Sequence, residues 1–87
     1  MSTIYALSNE HICIEVSSFG AELKSLKRKS DSREYMWDAR PEFWKRTSPV
    51  LFPIVGGLHE GQYHYEGKSF QMSQHGFARD MEFTLVQ

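Results

Sequence analysis

Short runs in which apolar and polar side chains alternate at a period of two recur along this chain, each closed by a polar or glycine-containing break. That spacing sends successive side chains to opposite faces of an extended segment, and it predicts strands. Residues 4–8 and 12–16, separated by the polar pair Asn9-Glu10, are expected to be two strands around a tight turn, with Ile12, Ile14 and Val16 on one face. After Ser17-Ser18-Phe19-Gly20 the alternation resumes over residues 21–27, with Ala21, Leu23 and Ser25 sharing a face. Leu26 is out of phase with them, which means either a strand end or a bulge. Charged and serine residues from Lys27 to Arg33 suit a solvated loop, and the aromatic-rich Glu34-Tyr35-Met36-Trp37 closes a second hairpin. Asp38 ahead of Pro41 predicts one short turn of helix before Trp44, which Pro49 and Pro53 keep from continuing. Glu66-Gly67, between Gly61–Tyr65 and Lys68–Met72, is the clearest hairpin turn in the sequence. Residues 81–86 alternate again and are expected to be a strand on which the chain stops, so the sequence reads as truncated. The class expected is all-β, built from antiparallel hairpins.

Composition narrows what such a chain can do. Hydrophobic residues make up 40% of the 87 positions and aromatics 14%, too many large side chains for a disordered segment. The length allows one domain at most, with a small core. Ten Lys and Arg against eleven Asp and Glu give a formal charge of -1, which offers no footprint for nucleic acid or for an anionic membrane. A small neutral or modestly charged ligand fits that balance better. Cys13 is the single cysteine, so no internal disulfide and no cysteine-based zinc framework is expected, and a reducing, cytoplasmic setting follows. No apolar run approaches the roughly 20 residues that span a bilayer.

Candidate chemistry is confined to two stretches. Arg46 stands beside the proline-stiffened segment Thr47-Ser48-Pro49-Val50-Leu51-Phe52-Pro53, where a fixed guanidinium can fork onto ligand oxygens; the plainer reading is a surface arginine whose stem covers Trp44. In Gln74-His75-Gly76-Phe77-Ala78-Arg79-Asp80 the glycine lets backbone approach a ligand closely while the imidazole of His75 and the guanidinium of Arg79 flank it. The plainer reading there is a turn histidine satisfied by carbonyls, with Arg79 and Asp80 in surface pairs, and local pattern alone favours the plainer reading of each. Trp37 or Trp44 can serve as a stacking platform for a sugar ring. His59 and His64 fall on opposite faces of any continuous strand and lack a third ligand, so no metal site is expected. Cys13 lies among Ile12, Ile14 and Val16 with no base beside it, which argues against a nucleophile. No phosphate-cradling glycine loop is present, nor a Ser-His-Asp set or a supported carboxylate pair.

Four segments taken together, Gly20-Ala21-Glu22-Leu23-Lys24-Ser25-Leu26, Tyr35-Met36-Trp37, Ser48-Pro49-Val50-Leu51-Phe52-Pro53-Ile54-Val55-Gly56 and Gln74-His75-Gly76-Phe77-Ala78-Arg79-Asp80, resemble the aldose 1-epimerase (galactose mutarotase-like) family, in its LacX-like branch. The resemblance runs from about Phe19 to Phe83 with the motifs in the family's order. It implies a large antiparallel β-supersandwich that binds a hexose or hexose phosphate on its concave face and interconverts the α and β anomers by general acid–base catalysis, without cofactor or metal. It also implies that His75 is the first of two active-site histidines, holding the sugar near its ring oxygen, and that Arg79 is the arginine of the same motif. Arg46 resembles the arginine that faces the anionic end of the substrate in related hexose-phosphate epimerases. The family sandwich is several times longer than 87 residues, so the second histidine and the carboxylate base are expected outside this chain, which alone should be an inactive N-terminal part of one sandwich domain. Gly57 stands where some relatives carry a ligand-binding arginine, which weakens the case for galactose itself. The alternative is a carbohydrate-binding or self-assembling β module without catalysis, forming a homo-oligomer through exposed strand edges.

Overall fold

The computed structural model describes residues 2–86. Among the described residues, six strands form two antiparallel sheets. Strands β1 (Ile4–Ser8), β2 (Ile12–Ser17), β3 (Glu22–Arg28) and β4 (Arg33–Glu34) lie side by side in that order, and β5 (Gln62–Tyr65) pairs with β6 (Lys68–Gln71) as a separate hairpin. Two hairpins, β1–β2 and β5–β6, follow the alternation and turn signals directly. Asn9 shapes the β1–β2 turn by accepting the His11 and Ile12 N–H groups on Oδ1, at 2.8 and 2.9 Å. Glu66 and Gly67, at φ 49° and 77°, turn β5 into β6 and bring Tyr63 opposite Phe70, with rings stacked at 5.2 Å.

The ambiguity at Leu26 resolves as a bulge. Val16 pairs with Leu23 but Glu15 pairs with Ser25, so Lys24 is the extra residue on β3. The slip reverses the phase of the strand: Glu22 and Ser25 are the buried positions, rather than the Ala21, Leu23 and Ser25 set that simple alternation gives. The strand expected over residues 34–37 shortens to Arg33–Glu34. Tyr35 N–H still reaches the Leu26 oxygen at 2.9 Å, but Glu34 Oε2 accepts the N–H groups of Leu26 and Met36 at 2.8 and 3.0 Å, so a side chain takes donors a longer ladder would use. The helical turn expected before Trp44 is a single turn, closed by the Phe43 and Trp44 N–H groups on the Arg40 carbonyl oxygen at 3.0 Å.

The strand expected over residues 81–86 does not form. Glu82 makes an isolated antiparallel bridge to Phe19, held by Gly20 N–H to the Met81 oxygen at 2.5 Å and Phe83 N–H to the Ser18 oxygen at 2.7 Å, and no ladder follows among the described residues. Alternation supplies one apolar face, but a strand also needs a neighbour to pair with.

Burial is sparse. Ala78 is the one hydrophobic side chain buried among the described residues, while Ile4, Leu7, Phe43, Phe52 and Val55 are exposed. The radius of gyration is 16.5 Å, against roughly 12 Å for a compact chain of this length. Hydrogen bonds from buried polar groups therefore do much of the local fixing, and the most consequential are at Glu22. Its Oε2 accepts the Thr47 and Ser48 N–H groups at 2.7 and 3.0 Å, while Ser48 Oγ donates to the Leu23 oxygen at 2.7 Å. These bonds moor residues 47–48 to the start of β3, and with them the neighbouring Arg46.

Candidate functional site

Three chain segments meet at one corner of the fold. The 52–56 segment runs beside residues 75–78: the Phe77 and Ala78 N–H groups share the Phe52 oxygen at 3.0 and 3.1 Å, and His75 N–H reaches the Gly56 oxygen at 2.9 Å. That approach requires glycine at position 76. Its φ is 77°, and a Cβ there would collide with the Phe52 carbonyl. Gly20 plays the matching part on the other side, with φ 74° and the place of a Cβ only 2.5 Å from the Arg79 oxygen, so the β2–β3 turn lies directly against the Arg79 backbone.

His75 itself has φ 65°, an unusual conformation for a side chain with a Cβ. A second hydrogen bond secures it: Gly56 N–H donates to His75 Nδ1 at 2.8 Å. With Nδ1 acting as acceptor, the neutral imidazole carries its proton on Nε2, which is then a donor for a ligand. The backbone therefore satisfies one ring nitrogen and leaves the other for chemistry.

Arg79 donates from Nη2 to the Gln74 oxygen at 3.1 Å, and its buried Nε has no protein acceptor. His75 and Arg79 line one open depression of about 450 Å³ with Trp44, Pro49, Leu51 and Gln74, a volume within the range of small-ligand clefts. The lining combines an indole, a proline ring and a leucine with glutamine, histidine and arginine, so apolar surface and hydrogen-bond donors meet in one depression. Trp44 is the aromatic placed at the depression, and Trp37 stands behind it with its indole N–H on the Trp44 oxygen at 2.7 Å.

Arg46 is brought to the same corner from 33 residues away, its Nη1 3.4 Å from the Arg79 oxygen. Its Nη2 is 2.6 Å from Asp80 Oδ1. That hydrogen bond from Arg46 holds the Asp80 carboxyl below its usual range, assisted by the charges of both arginines. Asp80 thus joins the candidate residues as the partner of Arg46, which no local spacing announces. Glu22 is a second addition. Burial alone pushes its carboxyl up, but the Thr47 and Ser48 N–H groups and Lys24 draw it down to a net value below the ordinary one.

The remaining histidines do not converge: His59 lies in a short 3₁₀ turn, and His64 Nδ1 on β5 is 2.9 Å from Ser69 Oγ. Among the described residues no three His, Cys, Asp or Glu side chains gather as a metal ion would need, and no helix is long and apolar enough to cross a membrane. A second hollow, between the β1–β2 face and the last residues, is lined by Leu7, Val16, Phe83 and Leu85 and is almost wholly apolar. It lacks convergent polar groups, so the depression at His75 is the better candidate for a polar ligand.

Residues 3–87 match the aldose 1-epimerase family. The chromosomally encoded protein LacX of Lactococcus lactis subsp. lactis is 39% identical over 86 residues, covering 93% of this chain and 28% of its own length. A galactose mutarotase related enzyme from Lactobacillus acidophilus superposes with a TM-score of 0.91 at 45% identity, over 94% of this chain and 27% of that one. A galactose mutarotase-like protein from Lactobacillus casei gives 0.93 at 39% identity, over 97% and 29%. The chain thus spans less than a third of the length of the relatives it matches. Its antiparallel hairpins are part of the galactose mutarotase-like β-supersandwich, as expected from the four motifs. By its sequence match and by the superposition of its hairpins, the chain belongs to the aldose 1-epimerase family, in the LacX-like branch.

Proposed function

We propose that this chain supplies the N-terminal, sugar-binding part of a single aldose epimerase-like sandwich domain, and that the whole protein interconverts the α and β anomers of a hexose or hexose phosphate by general acid–base catalysis. The observation that carries the reading is the hydrogen bond from Gly56 N–H to His75 Nδ1, which leaves Nε2 as the donor of the neutral ring. An Nε2–H donor in the same depression as Arg79 and Trp44 suits a pyranose, whose ring oxygen and hydroxyls accept hydrogen bonds while its C–H face packs on an aromatic ring. His75 orients the sugar and polarises its ring oxygen, Arg79 donates to a hydroxyl, and Arg46 supplies the second cation of the corner. The proton-transfer partners that open and reclose the ring come from outside these residues, so the chain alone binds without turning over. No cofactor or metal takes part. The lone Cys13 fits work in the cytoplasm.

The test separates binding from folding by using His75→Asn. Asparagine tolerates positive φ, and its Oδ1 can accept the Gly56 N–H, so the turn survives while the imidazole Nε2–H is lost. The expected outcome is an unchanged amide spectrum with hexose affinity reduced at least tenfold, and no mutarotation by polarimetry for either form of the chain. Equal affinity in both forms refutes the site; a rate above spontaneous anomerisation refutes the inactivity of the chain alone.

A second reading is favoured by the open outer edge of β1 and the exposed Ile4 and Leu7 on it: a non-catalytic carbohydrate-binding module that assembles with a copy of itself. Sedimentation over a range of concentrations distinguishes it, since self-assembly raises the mass and sugar binding alone does not.

A further inference from the structure

Arg46 and Arg79 bring two permanent positive charges to one corner, and an anionic sugar would need at least one of them with free N–H groups in a fork. Neither offers a complete fork. Arg79 has Nη2 on the Gln74 oxygen and its Nε buried, which leaves Nη1 as the remaining group with no protein partner. Arg46 is held by Asp80 at 2.6 Å, and the arginine side chain is 24% exposed against 51% for the aspartate, so the carboxylate caps the cation from its solvent side. The pair is not an accident of neighbouring sequence, because its members are 34 residues apart and both backbones are fixed: Arg46 precedes the Thr47–Ser48 mooring on Glu22, and Asp80 N–H is bonded to the Phe77 oxygen at 3.0 Å. Arg46 adjoins the depression through its contact with the Arg79 oxygen, and the groups that line it beside Arg79, namely Trp44, Pro49, Leu51, Gln74 and His75, suit a neutral polyol.

We propose that Asp80 is a specificity-determining residue: by holding Arg46 in an ion pair it keeps the site selective for uncharged aldoses over their phosphates. The proposal rests on the sugar-binding reading for its ligand class. Replacing the carboxylate by an amide leaves the side chain the same size, removes the competing anion and frees the Arg46 fork, so the same corner becomes a phosphate site. Selectivity lies in the charge of one side chain, with no change in the shape of the depression.

The experiment titrates the isotope-labelled chain with glucose, glucose 6-phosphate and inorganic phosphate, for the wild type, Asp80→Asn and the double variant Arg46→Gln/Asp80→Asn. Asp80→Asn should raise affinity for glucose 6-phosphate relative to glucose by roughly tenfold or more, bring phosphate binding into measurable range, and lose both gains in the double variant. An unchanged phosphate affinity in Asp80→Asn, or a gain that persists without Arg46, overturns the proposal. A phosphate gain that depends on Arg46 while glucose binds to none of the proteins would uphold the role of Asp80 and remove the sugar reading alone. Should Asp80→Asn lose the dispersed amide spectrum of the wild type, Asp80→Ser poses the same question with a smaller neutral side chain.

Discussion

Replacing Glu22 by alanine tests how the site is held. The carboxylate is 4% exposed and accepts two backbone N–H groups on one oxygen, from Thr47 at 2.7 Å and Ser48 at 3.0 Å. Alanine leaves both donors without an acceptor. An orphaned donor costs about 1–3 kcal/mol, more when buried. Thr47 is buried and Ser48 half-buried, so about 2 kcal/mol for the first and about 1 kcal/mol for the second give a loss of about 3 kcal/mol. That is a large share of the roughly 5–15 kcal/mol that keeps a small domain folded. Glutamine separates geometry from charge, because its carbonyl oxygen can take the place of Oε2, which in the native protein accepts both donors and lies 3.5 Å from Lys24 Nζ. Its loss should be near 1 kcal/mol, the difference between charged and neutral acceptors. Urea unfolding followed by tryptophan fluorescence measures both, since Trp44 lies just before the moored segment, and the amide resonances of Thr47 and Ser48 report the mooring directly. The acid limb adds a sign. The Glu22 carboxyl is depressed in the folded protein, so its contribution is present above its ordinary value of 4.5 and fades as pH falls below it; in Glu22→Gln that part of the acid slope should vanish. An alanine variant within about 0.5 kcal/mol of wild type, or no worse than glutamine, refutes the claim that these two bonds place the 46–48 segment.

Glu34 should give a second, separable acid transition. The Ser25 hydroxyl and three backbone N–H groups lower its carboxyl to about 2, so its contribution holds above pH 4.5 and is lost between there and about 2; Glu34→Gln should flatten stability against pH in that window, and an unchanged slope counts against the cluster. At position 76, alanine must take a φ of 77° and push its Cβ onto the Phe52 carbonyl, so Gly76→Ala should cost more than about 2 kcal/mol in urea unfolding. The same variant should lose hydrogen-exchange protection at the Phe77 and Ala78 amides, which share that carbonyl; full protection would show that the 52–56 segment is held by something else.

What could be read from the sequence was whatever is encoded locally. β1, β2 and the β5–β6 hairpin follow from a two-residue period broken by Asn9-Glu10 and Glu66-Gly67, because side-chain alternation and turn conformation both act within a few residues. Leu26 signalled trouble in β3 without saying which kind, since a bulge and a strand end look the same until the partner's register is known. Residues 34–37 and 81–86 carry good strand patterns and still fail as strands. In the first, a side chain takes the Leu26 and Met36 donors, and in the second only Phe19 among the described residues stands opposite. Pattern reports which face a segment would bury, but pairing is decided by a neighbour elsewhere in the chain.

The site divides along the same line, and its division explains why local chemistry alone favoured the plainer reading of every candidate. His75 and Arg79 are four residues apart and could be grouped by eye, but the Gly56 N–H that sets the imidazole proton is 19 residues away, and the Asp80 partner of Arg46 is 34 away. Taken one at a time, a turn histidine and a surface arginine are ordinary. What makes them a candidate site is that backbone groups and a carboxylate have consumed part of each: one nitrogen of His75, one amino group of Arg79, both of Arg46. The functional capacity of the corner is the remainder, the groups the fold leaves uncommitted after satisfying itself. Such a remainder is a property of long-range pairings, so the family's motif order could point to these residues while only the assembled geometry shows which of their atoms are left for the proposed ligand.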